Sequence, residues 1–267
     1  SDGQGSITLR VPDQGVLSAV DWLVIGRLPY KYLYRYNVDG TIRSLREVED
    51  MDWEIAAPGH ADVRLPQIFG DHMVLQREKP IPVWGWAEPG EEVSVSLGEQ
   101  NKEAEADADG RWQVKLDALK ANSDGQTLTV SGKNKIELKE VLVGEVWICS
   151  GQSNMEWPLY EGAKILNYDQ EVAAANYPNI RLIQVDHTMK NLPVRDVNSV
   201  GWKECSPENI IGFSAVAYFF GRDLHKNLNI PIGLIQSTWG GTPVEAWTSA
   251  ASLRETPDFS KIIYALQ

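Results

Sequence analysis

The chain has 267 residues, a size for about one or two domains, and its 43% hydrophobic and 23% charged residues are those of an ordinary globular protein. A net charge of −12 and a pI near 4.8 argue against a nucleic-acid phosphate backbone as partner and favour neutral ligands, or anions held by local donors. No apolar run is long enough to span a bilayer, so no membrane partner is expected. The opening residues SDGQGS lack the basic and apolar regions of a signal peptide, which leaves either a cytoplasmic chain or a true start further upstream. Cys149 and Cys205 form neither a disulfide framework nor a zinc-ligand set and read as free buried thiols. Ten tryptophans is a high count; such residues stack on sugar faces in β-rich proteins and more often fill cores.

Three textures follow one another along the chain. Residues 1–63 contain a short strand at ITLRVP, the apolar run VLSAVDWLVI, a Tyr-rich loop LPYKYLYRYN and a final strand WEIAAPGH. Between the last two, TIRSLREVEDM spaces Ile42, Leu45 and Val48 as on one face of a helix. This is an α/β fragment too small to bury a good core alone. Residues 64–140 switch to short alternating strands, IPVWGWA, EVSVSLG, RWQVKL and TLTVSG, separated by the turns EPGEE, DADGR and NSDGQ. That regular spacing predicts a small antiparallel β-sandwich. Residues 141–267 return to α/β rhythm. EVLVGEVWICSG, IRLIQV and IPIGLIQST read as buried strands, with helices expected over 163–175 and 214–227. Strands separated by helices imply parallel βαβ units, whose ligands gather at the carboxyl ends of the strands. Both GQSNM (151–155) and WGGT (239–242) fall there.

Ser153 follows a buried strand and is flanked by Gly151, Gln152 and Asn154. A tight strand-to-helix turn exposes a hydroxyl nucleophile and aims backbone N–H groups at the reacting carbonyl. Gly240 and Gly241 lack side chains, so their backbone can approach an oxyanion closely. The same residues also fit a purely structural role. Ser is a favoured helix N-cap, and Glu156 three residues later would complete a capping box. A Gly-Gly pair commonly marks only a turn.

Three blocks widen this local reading: LPQIFGDHMVLQREKPIPVWGWAEPGEEVSV, VGEVWICSGQSNMEWPL and IPIGLIQSTWGGTPVEAW. In this order and spacing, over about 64–265, they resemble the sialate O-acetylesterase family of SGNH (GDSL-like) hydrolases. The resemblance implies a partial flavodoxin-like SGNH domain (141–267) behind the β-sandwich (64–140). It implies hydrolysis of acetyl esters on sialic acid or related sugars without a cofactor. By position, Ser153 is the nucleophile, and its own N–H with Gly240 or Gly241 gives oxyanion donors. Gln152 and Asn154 flank the nucleophile as substrate-binding candidates. The family's later blocks, W-x-Q-G-E-x-N and the base-bearing D-x-x-H, are not in the 267 residues, so little activity is expected of the chain alone. Of the histidines at 60, 72, 187 and 225, His225 is expected on the polar face of a helix and His72 in the β-domain. His187, after a strand end, is the one that can approach the site.

Residues 1–63 resemble instead the carboxyl-terminal end of a metallo-β-lactamase-fold hydrolase. Asp21 and His60 would stand at two zinc-ligand positions, while the main H-x-H-x-D-H motif would precede Ser1. Two ligands do not make a zinc site, which takes about four. Purified protein is therefore expected to hold no stoichiometric zinc; elemental analysis finding about one zinc per chain, lost on His60→Ala, would overturn this. Besides the esterase, two other readings stand: a zinc-dependent hydrolase fragment, and a non-catalytic carbohydrate-binding protein using the β-domain and its tryptophans.

Overall fold

The computed structural model describes residues 22–26, 31–36, 42–47, 62–160, 165–189 and 194–255. The chain divides into two compact units, Ser1–Gly59 and His60–Gln267. Asp21, His60 and the expected strands at ITLRVP and WEIAAPGH lie outside the described residues.

In the first unit, β1 (Trp22–Gly26), β2 (Lys31–Tyr36) and β3 (Ile42–Glu47) form an antiparallel sheet in the order β1-β2-β3. Two expectations are corrected here. The Tyr-rich segment is a strand rather than a loop; Tyr32, Tyr34 and Tyr36 alternate with period two, and aromatic residues suit strands. The segment expected as a helix is β3, with Tyr34 opposite Leu45. Even eleven residues make a marginal helix in water, whereas a neighbouring strand satisfies the backbone groups of those it pairs with at once.

The second unit holds β4 (Val74–Gln76), β5 (Ile81–Trp86), β6 (Glu92–Leu97), β7 (Gln100–Glu105), β8 (Arg111–Leu116), β9 (Asn122–Ser131) and β10 (Lys135–Gly151). It continues with α1 (Ser153–Glu156), α2 (Tyr168–Ala174), β11 (Tyr177–Gln184), β12 (Lys203–Cys205), α3 (Pro207–Ile210), α4 (Ala215–Leu228), β13 (Ile232–Thr238) and α5 (Ala250–Glu255). The architecture is mixed α/β. One sheet runs β12-β11-β13-β10-β9-β6-β7, with β4 also paired to β10, and β5 pairs with β8 in a separate two-stranded sheet. Alternation decides which side chains turn inward. Val83 of β5, Val93 and Val95 of β6, and Trp112, Val114 and Leu116 of β8 are buried in one shared core with Leu128 and Val130 of β9.

The 17-residue strand β10 organises the unit. Its first half pairs antiparallel with β9, from Lys135 opposite Ser131 to Val143 opposite Asn122. Its second half pairs parallel with β13, from Glu145 opposite Ile232 to Gly151 opposite Thr238. The boundary expected at 140/141 thus falls inside one continuous strand. The register shifts there, and Glu140 takes a left-handed φ of 54°. The core crosses the same point, because Ile183 and Trp202 join the residues of β5–β9.

On the α/β side β11, β13 and β10 are neighbouring parallel strands. Helix α4 covers them with Ala215, Ala217, Tyr218 and Gly221 buried, and a Cβ on Gly221 would sit 2.6 Å from Leu234. The Ser214 hydroxyl accepts from the Ala217 amide at its start, and Asn229, left-handed at φ 53°, ends it. Among the described residues no helix is long and apolar enough to cross a membrane.

Both cysteines are free and buried. Burial pushes the Cys149 thiol up to about 11 and Cys205 up to about 12, from 9.0. Burial also pushes the Tyr218 phenol up to about 12, from 10.0. These acids are held neutral in the fold, so the unfolded chain loses their protons first. Their stabilisation is complete below the unfolded values and falls as pH rises past them. Urea midpoints are expected to decline between about pH 8 and pH 11, with thiol reagents reacting only on unfolding. A flat midpoint with reactive thiols would contradict this burial.

Candidate active site

The site forms where β10 and β13 end side by side. Gly151 closes β10 with φ 149°, and a Cβ there would sit 3.2 Å from that of Met155. The chain then turns into α1. Gln152 is its N-cap and makes no side-chain cap bond, while its carbonyl accepts from the amides of Met155 (2.9 Å) and Glu156 (3.0 Å). Ser153 is therefore the first helical residue and not the cap. Its side chain is exposed, and its hydroxyl makes no hydrogen bond among the described residues. The capping box is absent as well, because the Glu156 carboxylate turns outward from the helix.

That carboxylate links the two loops. One oxygen accepts from the Gly240 amide, and the other lies 2.8 Å from Nε2 of His187. The His187 imidazole is stacked on Trp239, with centroids 4.5 Å apart and planes at 9°. The loops are also joined through the backbone, since the Trp239 amide donates to the Gly151 carbonyl at 3.0 Å. A Cβ on Gly240 would lie 3.5 Å from both Cα and Cβ of Ser153, so the Ser153 and Gly240 turns are in contact. Gly241 adopts φ 77°, a left-handed conformation that favours glycine. Gln152 and Asn154 are exposed beside Ser153.

A cleft of about 430 Å³ opens at this point, lined by Ser153, Glu156, Trp157, Tyr160, Gln184 and Gln236 among others. Gln236 is fully buried in its wall. Its oxygen accepts from the Ser214 amide at 2.8 Å, and its nitrogen donates to the Thr238 hydroxyl at 3.0 Å. Both ends being committed, this side chain shapes the cleft rigidly.

The other described histidines are engaged elsewhere. His72 lies 2.7 Å from the buried Arg181, which Glu204 also approaches at 3.3 Å; burial lowers the guanidinium from its usual value and Glu204 opposes the shift. His225 is half-buried on α4, with Nδ1 2.8 Å from the Ile230 carbonyl. Among the described residues no group of three or more His, Cys, Asp or Glu is placed to hold a metal ion.

Residues 143–265 match the family described as carbohydrate esterase, sialic acid-specific acetylesterase. The sialate O-acetylesterases of Pongo abelii and Homo sapiens are 35% and 34% identical over 72% of the chain, which spans 40% of their length. The crystal structure of a carbohydrate acetylesterase from Xanthomonas citri is similar with a TM-score of 0.68 at 40% identity, over 73% of this chain and 44% of that one. By sequence this chain is similar to the sialate O-acetylesterases, and by fold to a carbohydrate acetylesterase.

Ser153, Gly240 and His187 are legible in the sequence as parts of one place, whereas Glu156 reads there only as a capping residue. The overlooked signal is an acidic side chain one helical turn after Ser153. Such a residue projects from the same helix edge as the serine and can reach whatever stands beside it.

Proposed function

We propose that this site is that of a serine carbohydrate esterase hydrolysing O-acetyl esters of sialic acid or related acetylated sugars. The observation that carries the reading is the contact between the exposed Ser153 and Gly240 at the carboxyl ends of neighbouring parallel strands. The Ser153 oxygen attacks the acetyl carbonyl, and the resulting oxyanion takes hydrogen bonds from backbone amides of the Ser153 and Gly240–Gly241 turns. Collapse expels the sugar alcohol, and water then releases acetate from the acyl-serine. Serine needs a base to accept its proton. His187 is bonded to Glu156 and not to Ser153, so the base is assigned to the later segment that the family resemblance implies. In the same reading β5–β9 form a small β-sandwich, and the first unit is the end of a metallo-β-lactamase-like fold.

The test is release of acetate from O-acetylated sialic acid and from acetylated neutral sugars, followed beside 4-nitrophenyl acetate. Turnover that depends on Ser153 supports the reading. Sugar binding with no acyl transfer, in a chain extended to the length of its relatives, would favour a non-catalytic carbohydrate-binding protein instead.

A further inference from the structure

Glu156 stands where three parts of the fold meet. It belongs to the same helical turn as Ser153. It accepts the amide of Gly240, beyond the end of β13, and meets His187, beyond the end of β11. The His187 ring in turn lies flat on Trp239, the residue preceding Gly240. Every link closes on the next, so one side chain fixes both the depth of the glycine turn and the position of the histidine segment. A Cβ at position 240 would lie 2.7 Å from Oε2 of Glu156, so a side chain there would displace this carboxylate.

We infer that Glu156 is a positioning residue, which sets the glycine turn against Ser153 and docks His187 on Trp239. The inference rests on the esterase reading of this site. A carboxylate accepting a backbone amide makes a charge-assisted bond, stronger than a neutral one, and Glu156 is partly shielded with its side chain 26% exposed. The Gly240 amide is committed to this bond. Of the two glycines, that leaves the Gly241 amide, which has no partner among the described residues, to join the Ser153 amide in facing an oxyanion.

The experiment compares wild type, Glu156→Ala, Glu156→Gln and Ser153→Ala by amide hydrogen exchange and ¹H–¹⁵N spectra of the whole chain, with acetyl ester kinetics alongside. In Glu156→Ala the Gly240 amide is expected to lose its protection and the Trp239 signals to shift as His187 moves off its ring. Glu156→Gln keeps an acceptor, so both effects are partial. Where turnover is measurable, kcat is expected to fall about a hundredfold in Glu156→Ala with KM little changed, and to recover in part in Glu156→Gln. A Gly240 amide exchanging equally fast in wild type and Glu156→Ala overturns the inference. Should Glu156→Ala fail to fold, Glu156→Gln decides, and an unchanged Gly240 exchange rate there overturns it equally. The esterase reading fails separately, if Ser153→Ala leaves turnover unchanged while the Gly240 amide still responds to Glu156. A wild-type chain without turnover counts against esterase activity of this chain alone, and the exchange rate still decides for or against Glu156.

Discussion

Ser153→Ala is expected to remove nearly all acetyl ester hydrolysis, a loss of several orders of magnitude in kcat with the fold unchanged. The hydroxyl is exposed and makes no hydrogen bond among the described residues, so its removal costs little in stability. Backbone amides alone leave some rate above that of water, on the order of 10³-fold, which sets the floor for the variant. The chain spans 40% of the length of its curated relatives. The assay is therefore run on the 267 residues and on a version extended with the corresponding carboxyl-terminal part of a relative. Weak turnover is expected from the first and strong, Ser153-dependent turnover from the second. His187→Ala in the extended protein is expected to cost far less than Ser153→Ala, because His187 bonds Glu156 and not the nucleophile. Full activity in the short chain, abolished by His187→Ala, would make His187 the base. Activity that survives Ser153→Ala in the extended protein would remove the nucleophile assignment.

Much of the second unit is legible because its signals are local. The alternation in EVSVSLG and RWQVKL gives β6 and β8, and the apolar runs before GQSNM and WGGT give the parallel strands. Helix α4 declares itself through Ser214 at its start. Strand β7 is not legible in the same way, since QNKEAE has no apolar side to mark it; it is a polar edge strand held by pairing with β6. The continuity of β10 across residue 140 is hidden for another reason. One strand there changes partners from antiparallel to parallel, and no single pattern spans both halves. In the first unit β3 imitates a helix, because Ile42 and Leu45, three positions apart, fit either a helix face or a strand with an irregular register. The site divides along the same line. Ser153 and the glycines are read from motifs, whereas the tie from Glu156 to Gly240 spans 84 positions and exists only once the two loops meet.

Gly144→Ala is expected to be among the most damaging single changes in the second unit. Gly144 sits where β10 passes from its antiparallel to its parallel partner. An added Cβ would lie 1.9 Å from the Pro231 carbonyl oxygen and 2.6 Å from its carbon. The obstacle is backbone, and it is pinned. The Pro231 carbonyl accepts the Glu145 amide at 3.0 Å, and Ile232 next to it begins the pairing of β13 with Glu145. Gly144 cannot retreat the other way, because its own carbonyl accepts the Arg77 amide at 2.8 Å and it pairs with Gln76 of β4. Relief requires parting β10 from β13 or from β4, so a destabilisation of about 3 kcal/mol or more is expected. For a unit of this size that lowers the melting temperature by roughly 6–12 °C. Gly70→Ala is the control: its Cβ would meet only Trp202, at an ordinary 3.9 Å. Thermal and urea unfolding of the two variants make the comparison, and a Gly144→Ala protein as stable as Gly70→Ala would rule out this packing of β10 on β13. The consequence reaches the site, because the strand that carries Gly144 ends at Gly151, two residues before Ser153. A protein that tolerates Gly144→Ala by parting β10 from β13 separates Ser153 from Gly240. Hydrolysis is then expected to fall even at temperatures where the variant remains folded.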